Sequence, residues 1–178
     1  MPCVVRVRFH LGLGAPPLVA GGDPLRVRIR EMRPGDLDGV MAIEEVSFPT
    51  PWSRGMFIED FTRAFSDTLV AAGTGGEILG YAVCWTIAGE SHLLNIAVHP
   101  RHRGRGIGRT LLSECIRRAA RAGASRIFLE VRAGNEAAQR LYRSMGFVWR
   151  GIRKGYYTDT EEDAVVLDRE VRKSDAVS

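Results

Sequence analysis

Lysine is almost missing from this chain. It stands only at Lys154 and Lys173, and the other 23 of 25 basic residues are arginine. Against 21 acidic residues this leaves a formal charge of +4. That favours an anionic ligand but does not by itself demand a nucleic acid. Cysteine is scarce as well. Cys3, Cys84 and Cys115 form no CxxC pair and leave an odd one over. A disulfide or zinc framework is therefore not expected, and a reducing compartment, the cytoplasm, is the default. No charge-free apolar run nears the ~20 residues of a membrane span, so no membrane partner is expected. The Gly-Lys-Ser/Thr of a P-loop is absent too.

What is present suits one globular domain. At roughly 150 residues per domain, 178 residues make one domain with a little to spare. A hydrophobic share of 45% with 26% charged residues argues against disorder. Between Leu11 and Gly22 the chain reads LGLGAPPLVAGG. Glycine and the Pro16-Pro17 pair oppose a helix there, and the unbroken apolar core of a signal peptide is missing. Residues 1–24 read as a flexible tail or an early start codon, residues 25–172 as the domain, and 173–178 as a short C-terminal tail.

Patterning then predicts the elements. Leu25–Arg30 alternates with period two, as a strand with one wet face does. Asp36 can cap a helix with Leu37, Val40 and Ile43 inward, and Ser53 a second carrying Met56, Phe57 and Phe61. Strands over Thr68–Ala72 and Ile78–Ile87 flank a Gly73–Gly76 turn. After a Gly89-Glu90 turn, Leu93–Val98 is apolar nearly throughout, as a strand covered on both faces would be. Leu111, Leu112, Cys115, Ile116, Ala119 and Ala120 form a helical stripe that Gly123 stops. Ile127–Val131 is a buried strand. Asn135 caps a helix bearing Ala138, Leu141, Tyr142 and Met145, closed by Gly146. Strands Phe147–Ile152 and Ala164–Glu170 bracket a polar hairpin with Tyr156-Tyr157. The order β-α-α-β-β-β-α-β-α-β-β predicts an α/β fold, with a mixed sheet of six to seven strands and helices on both faces.

The richest stretch is His99-Pro100-Arg101-His102-Arg103-Gly104-Arg105-Gly106-Ile107-Gly108-Arg109, between a buried strand and a strong helix. Glycines let backbone N–H groups converge, and the helix start and arginines add positive charge. This is a phosphate pocket. The dinucleotide pattern GxGxxG fails here: from Gly104 its third glycine falls on Arg109, and from Gly106 on Leu111. Taken alone, the loop could also be a solvated basic turn.

Arg103-x-x-Gly106-x-Gly108 resembles the pyrophosphate loop of the GNAT acetyltransferase superfamily. Leu129-Glu130-Val131-Arg132-Ala133-Gly134-Asn135, Leu141-Tyr142, Met145-Gly146-Phe147, Pro51-Trp52-Ser53 and Tyr156-Tyr157 are similar to its RimI-type branch. That branch acetylates the N-terminal alanine of a small-subunit ribosomal protein. The likeness spans about Val27 to Val171 and departs at Gly134, where the family usually has serine. It implies acetyl-CoA as co-substrate, a protein or peptide N-terminus as partner, and no metal. The pantetheine arm would pair with Ile96, Ala97 and Val98, with the Val98 amide facing the thioester carbonyl. Arg103, Gly104, Arg105, Gly106, Ile107, Gly108 and Arg109 would hold the pyrophosphate. Asn135 would bond the pantetheine or the edge of the acyl site, besides capping its helix. Glu130 matches the general base and Tyr142 the general acid, while Pro51, Trp52, Tyr156 and Tyr157 would wall the acceptor.

The chemistry fits that pair with one reservation. An α-ammonium near 7.7–8.0 must lose a proton before attack, which a modest base can take. Full donation from a tyrosine near 10 to a thiolate whose acid is near 8.5 runs uphill by ~2 kcal/mol, so a hydrogen bond to the thiolate fits better. His92, His99 and His102 lack companions at metal-ligand spacing. Cys84 and Cys115 read as core residues. The same fold with a lysine side chain or small amine as acceptor stays open. A nucleic-acid module is disfavoured, because the arginines converge on one helix start rather than spreading along a face with stacking aromatics.

Overall fold

The computed structural model describes residues 8–10 and 27–177. After β1 (Arg8–His10) come β2 (Arg28–Glu31), α1 (Leu37–Ser47), α2 (Arg54–Thr62), β3 (Ser66–Ala72), β4 (Ile78–Ile87) and β5 (Glu90–Val98). Then follow α3 (Ile107–Arg121), β6 (Arg126–Arg132), α4 (Glu136–Ser144), β7 (Val148–Tyr157) and β8 (Glu162–Glu170). From β2 onward this is the expected order. The strands lie side by side as β2-β3-β4-β5-β6-β8-β7, and β1 joins β5. Along that path only β5 and β6 are parallel, so the sheet is mixed as expected. The rest of the expected N-terminal tail lies outside the described residues.

Each face of the sheet is covered by its own helices. Val40, Ile43 and Phe57 pack with Val70, Tyr81, Val83 and Leu94 on one face. Leu111, Leu112, Cys115, Ala138 and Tyr142 pack with Leu69, Ala82, Ile96 and Leu129 on the other. Residues one apart along β3 thus serve opposite cores, as a pleated strand requires. Residues 173–176, assigned above to a tail, form a 3-10 turn whose Ala176 carbonyl accepts from Arg121 Nε at 3.1 Å.

Local expectations hold unevenly. Ser53 caps α2 by accepting from Met56 N, and Asn135 caps α4 by accepting from Ala138 N. Asp36 precedes α1 but its side chain does not cap that helix. Its carboxylate accepts from Arg33 N at 2.7 Å and pairs with Arg30 at 2.6 Å, which closes the turn over Pro34–Asp36. Met56 is 42% exposed rather than inward, because α2 turns only Phe57 and Asp60 fully into the protein. β7 runs on to Tyr157, so the two tyrosines end a strand instead of forming the turn.

The β4–β5 turn is Ala88-Gly89, one residue earlier than expected, with φ of 51° and 83°. Two positive φ values in a two-residue hairpin define a type I′ turn, which favours Asn-Gly. Ala88→Asn is expected to raise stability by about 0.5–1 kcal/mol. Differential scanning calorimetry should show a gain of about 1–4 °C for a chain of this size.

One irregularity shapes everything that follows. On β5, Leu93 pairs with Cys84 and Asn95 with Val83, so Leu94 is an extra, bulged residue. A bulge bends its strand and can draw it away from a neighbouring strand. Accordingly β5 meets β6 only where Glu90, Ser91 and His92 face Arg126, Ile127 and Phe128. Beyond them the two parallel strands part and leave a wedge in the middle of the sheet.

Candidate active site

The glycine–arginine loop sits at the end of β5 and starts α3. Gly104 and Gly106 have φ of 75° and 82°, and open space lies where a Cβ would stand at either one. The backbone conformation, not crowding, therefore calls for glycine there. Gly108 already lies in the first turn of α3, beside Ile107 and Arg109. A fifteen-residue helix with left-handed glycines before it presents N–H groups that suit a diphosphate. Two of the arginines already have partners within the chain. Arg103 Nε donates to the Val98 carbonyl at 3.0 Å and its NH2 to Ser47 at 3.3 Å, while Arg109 donates to Ser144 at 2.7 Å. Arg105 and Arg109 are both exposed at the loop. Phosphate would rest on main chain more than on the arginine count suggests.

The edge of β5 faces the wedge. His99 N donates to the Leu79 carbonyl, which makes Gly80 and Val98 a non-hydrogen-bonded pair of the antiparallel ladder. Val98 therefore turns its N–H and C=O away from β4 and toward the wedge, and Ile96, two residues back, does the same. Ala97 pairs toward β4. Gly80 is needed for this approach, because a Cβ there would come within 2.8 Å of the Ala97 carbonyl oxygen. Along the same edge β1 pairs in parallel, with Arg8, Phe9 and His10 opposite Asn95, Ile96 and Ala97.

Glu130, on β6 across the wedge, is 8% exposed. Burial raises its carboxyl above the usual range, and Arg153, at 3.1 Å from Oε1, pulls it part of the way back. Such a carboxylate holds a proton more readily than a surface one, which is what a base needs. Tyr142, on α4, is fully buried against Phe147. Burial first, then nearby Tyr157, pushes its phenol well above 10. It stays protonated at any working pH, which makes complete proton transfer to a thiolate still less favourable. A neutral phenol can stabilise a thiolate by donating a hydrogen bond. Asn135, 9% exposed, is engaged as the cap of α4.

Two loops flank the wedge. Pro51 and Trp52 lie between α1 and α2, and Trp52 N donates to Glu44 at 2.7 Å. Glu44 is buried and also accepts from the Tyr81 hydroxyl and from Asn95. Opposite, Arg132 lies 4.1 Å over the Tyr157 ring and binds Asp159 through two hydrogen bonds of 2.8 and 3.0 Å. It also reaches Thr160 and, at 3.3 Å, Glu162. Tyr156 stands edge-on to Tyr157, with Arg153 over its ring at 5.6 Å. Thr50 donates to Asp159 at 3.0 Å and so joins the two loops.

Arg153, Glu44, Arg132 and Asp159 escaped the sequence reading. Glu44 had a visible signal: a carboxylate four residues after Val40, on the inward stripe of α1. The other three carried none, because partners at these separations are set by the sheet. Gly134, the departure noted above, donates its N–H to Glu162 at 2.7 Å, which ties down a loop that glycine would loosen.

The remaining candidates recede. His99 and His102 are lowered by burial first and then by neighbouring arginines, which favours neutral rings. Among the described residues no group of His, Cys, Asp and Glu is arranged to hold a metal ion. Cys84 and Cys115 are buried and unpaired, and burial pushes the Cys84 thiol up, away from nucleophilic use. No helix among the described residues is long and apolar enough to cross a membrane.

The profile of the Acetyltransferase (GNAT) family matches residues 37–147. The chain belongs to the GNAT family. It is 33% identical to the ribosomal protein bS18-alanine N-acetyltransferase of Escherichia coli (strain K12) over 141 residues, 78% of this chain and 94% of that one. The crystal structure of the Escherichia coli ribosomal-protein-S18-alanine N-acetyltransferase superposes with a TM-score of 0.74, covering 82% of this chain and 94% of that one, at 32% identity. Arabidopsis thaliana NAA60, solved in complex with acetyl-CoA, shares the fold at 18% identity with a TM-score of 0.75, over 82% and 98% of the two chains. The GNAT match ends at Phe147, so Arg153, Tyr157 and Asp159 lie beyond it.

Proposed function

We propose that this GNAT acetyltransferase moves the acetyl group of acetyl-CoA to the N-terminal α-amine of a protein, with the alanine terminus of a small-subunit ribosomal protein as acceptor. One observation carries the reading: a buried carboxylate with a raised pKa, Glu130, stands across a wedge from a strand edge whose Val98 N–H points into that wedge. The likeness to bS18-alanine N-acetyltransferases supports the choice of acceptor.

The chain's own groups divide the work. The N–H groups from Gly104 to Arg109 hold the diphosphate, while Ile96 and Val98 pair with the extended pantetheine arm. Acetyl-CoA supplies an activated acyl carbonyl. The Val98 N–H donates to that carbonyl oxygen as negative charge grows on it. Glu130, directly or through a water, takes the proton that the α-ammonium must lose before attack. Tyr142 donates a hydrogen bond to the departing sulfur. Pro51, Trp52, Tyr156 and Tyr157 wall the acceptor, and Asn135 borders the acyl site. Both substrates bind together, and no side chain carries the acyl group. We place the enzyme in the cytoplasm, where unpaired Cys84 and Cys115 stay reduced.

A panel of peptides with different N-termini, incubated with acetyl-CoA while thiol release is followed, tests the reading. Release with an alanine-starting peptide supports it, and background release across the whole panel rejects it. Because β1 and a pantetheine arm call on the same edge of β5, deletion of residues 1–24 is expected to tighten coenzyme A binding about three- to tenfold by calorimetry. An unchanged affinity would show that the two do not compete.

A further inference from the structure

The wedge is spanned at its open end. On the β5 side, Glu44 holds Asn95 and the Trp52 N–H, which fixes the α1–α2 loop to the strand. On the β6 side, Arg132 anchors the β7–β8 turn by its hydrogen bonds to Asp159 and its place over Tyr157. The two anchorages meet where Thr50 donates to Asp159, 109 residues away in the chain. A carboxylate oxygen accepting from both a guanidinium and a hydroxyl is held in direction as well as in distance. Burial alone would raise the Asp159 carboxyl, yet the bonds from Arg132 and Thr50 hold it below the usual range, so it is ionised and able to accept both.

We propose that Arg132 is a positioning residue for the acceptor: by aiming Asp159 at Thr50 it clasps the α1–α2 loop to the β7–β8 turn, so that the two acceptor walls move as one body. The inference rests on the reading of those loops as acceptor walls, but the clasp itself is a physical coupling that exists whatever the acceptor is. Arg132 is 9% exposed and meets the acceptor only through the groups it holds. Its planar fork matters more than its charge, because Nη2 holds both oxygens of Asp159 while Nη1 reaches Thr160 and Glu162, and the single nitrogen of an ammonium cannot serve both sides.

Two variants test it. Thr50→Val removes one exposed hydroxyl and leaves the core untouched. Arg132→Lys keeps the charge and loses the fork. Amide hydrogen exchange is read in residues 50–53 and 156–163, and the KM values for peptide and acetyl-CoA are measured separately. Both variants are expected to speed exchange in both segments. They should raise the peptide KM by about three- to tenfold and leave the acetyl-CoA KM unchanged. If Arg132→Lys loosens only residues 156–163 while residues 50–53 exchange as in the parent, Arg132 merely braces its own hairpin and the clasp is overturned. Equal rises in both KM values, with a drop in thermal midpoint, would overturn it too. Should the parent enzyme acetylate no peptide, the proposed acceptor fails, and the exchange data still decide the coupling.

Discussion

Glu130→Gln is expected to lower kcat by about a hundredfold or more, with coenzyme A affinity held within about twofold of the parent. Glutamine fills the same space and accepts a hydrogen bond but cannot take a proton. The loop proposed to hold the diphosphate follows β5, whereas Glu130 stands on β6, so binding of the carrier has no reason to change. Burial raises the Glu130 carboxyl above its usual value, and Arg153 lowers it. The base form is therefore lost as pH falls through that raised value, which sets the acid limb of the parent's kcat/KM profile. Arg153→Ala removes the lowering influence, and the limb should move to higher pH. A Glu130→Gln profile should lack the limb altogether. Stability gives an independent check. A buried carboxyl whose folded pKa is raised costs the folded state free energy once it ionises, above its unfolded pKa. Arg153 is half-exposed and offsets little of this cost. At neutral pH the glutamine variant should thus melt no lower than the parent. A joint loss of turnover and thermal midpoint would mean that Glu130 holds the fold rather than the proton.

The element order could be read from the sequence because each element carries its own local signal. The stripe of α3 repeats at helical spacing, Ser53 and Asn135 sit where caps belong, and Gly123 and Gly146 adopt positive φ just past helix ends. The form of the glycine–arginine loop was legible for the same reason, since its glycines and its helix are contiguous. The bulge at Leu94 was not. It follows from how β4 and β5 register against each other, and a nearly all-apolar strand shows no alternation from which a slip could be seen. The partners of the loop arginines were equally hidden. Arg103 and Arg109 read as phosphate ligands by position, but tertiary packing offers them Val98, Ser47 and Ser144. Sequence thus singled out the loop, and only the fold shows which of its charges have partners within the chain.

Glu44 is where architecture and site become the same question, and Glu44→Ala is expected to destabilise the protein by about 3–5 kcal/mol. The carboxylate is fully buried on the inward stripe of α1, among Val40, Ile43 and the strands beneath. It accepts from the Trp52 amide, the Tyr81 hydroxyl and the Asn95 amide. Alanine would strand these donors in an apolar core, each at a cost of about 1–3 kcal/mol unless water enters. A loss of this size lowers the midpoint by about 10 °C in a chain of this length. Glu44→Gln separates the donors from the volume. It fills the space but replaces one acceptor oxygen with an NH2 group that must face a donor, so it should cost less than alanine yet remain clearly below the parent. The peptide KM should rise in both variants, because the Trp52 amide loses its anchor and the wall it carries shifts. If the alanine variant melts within about 1 kcal/mol of the parent, water has replaced the carboxylate, and the anchor of the α1–α2 loop lies elsewhere.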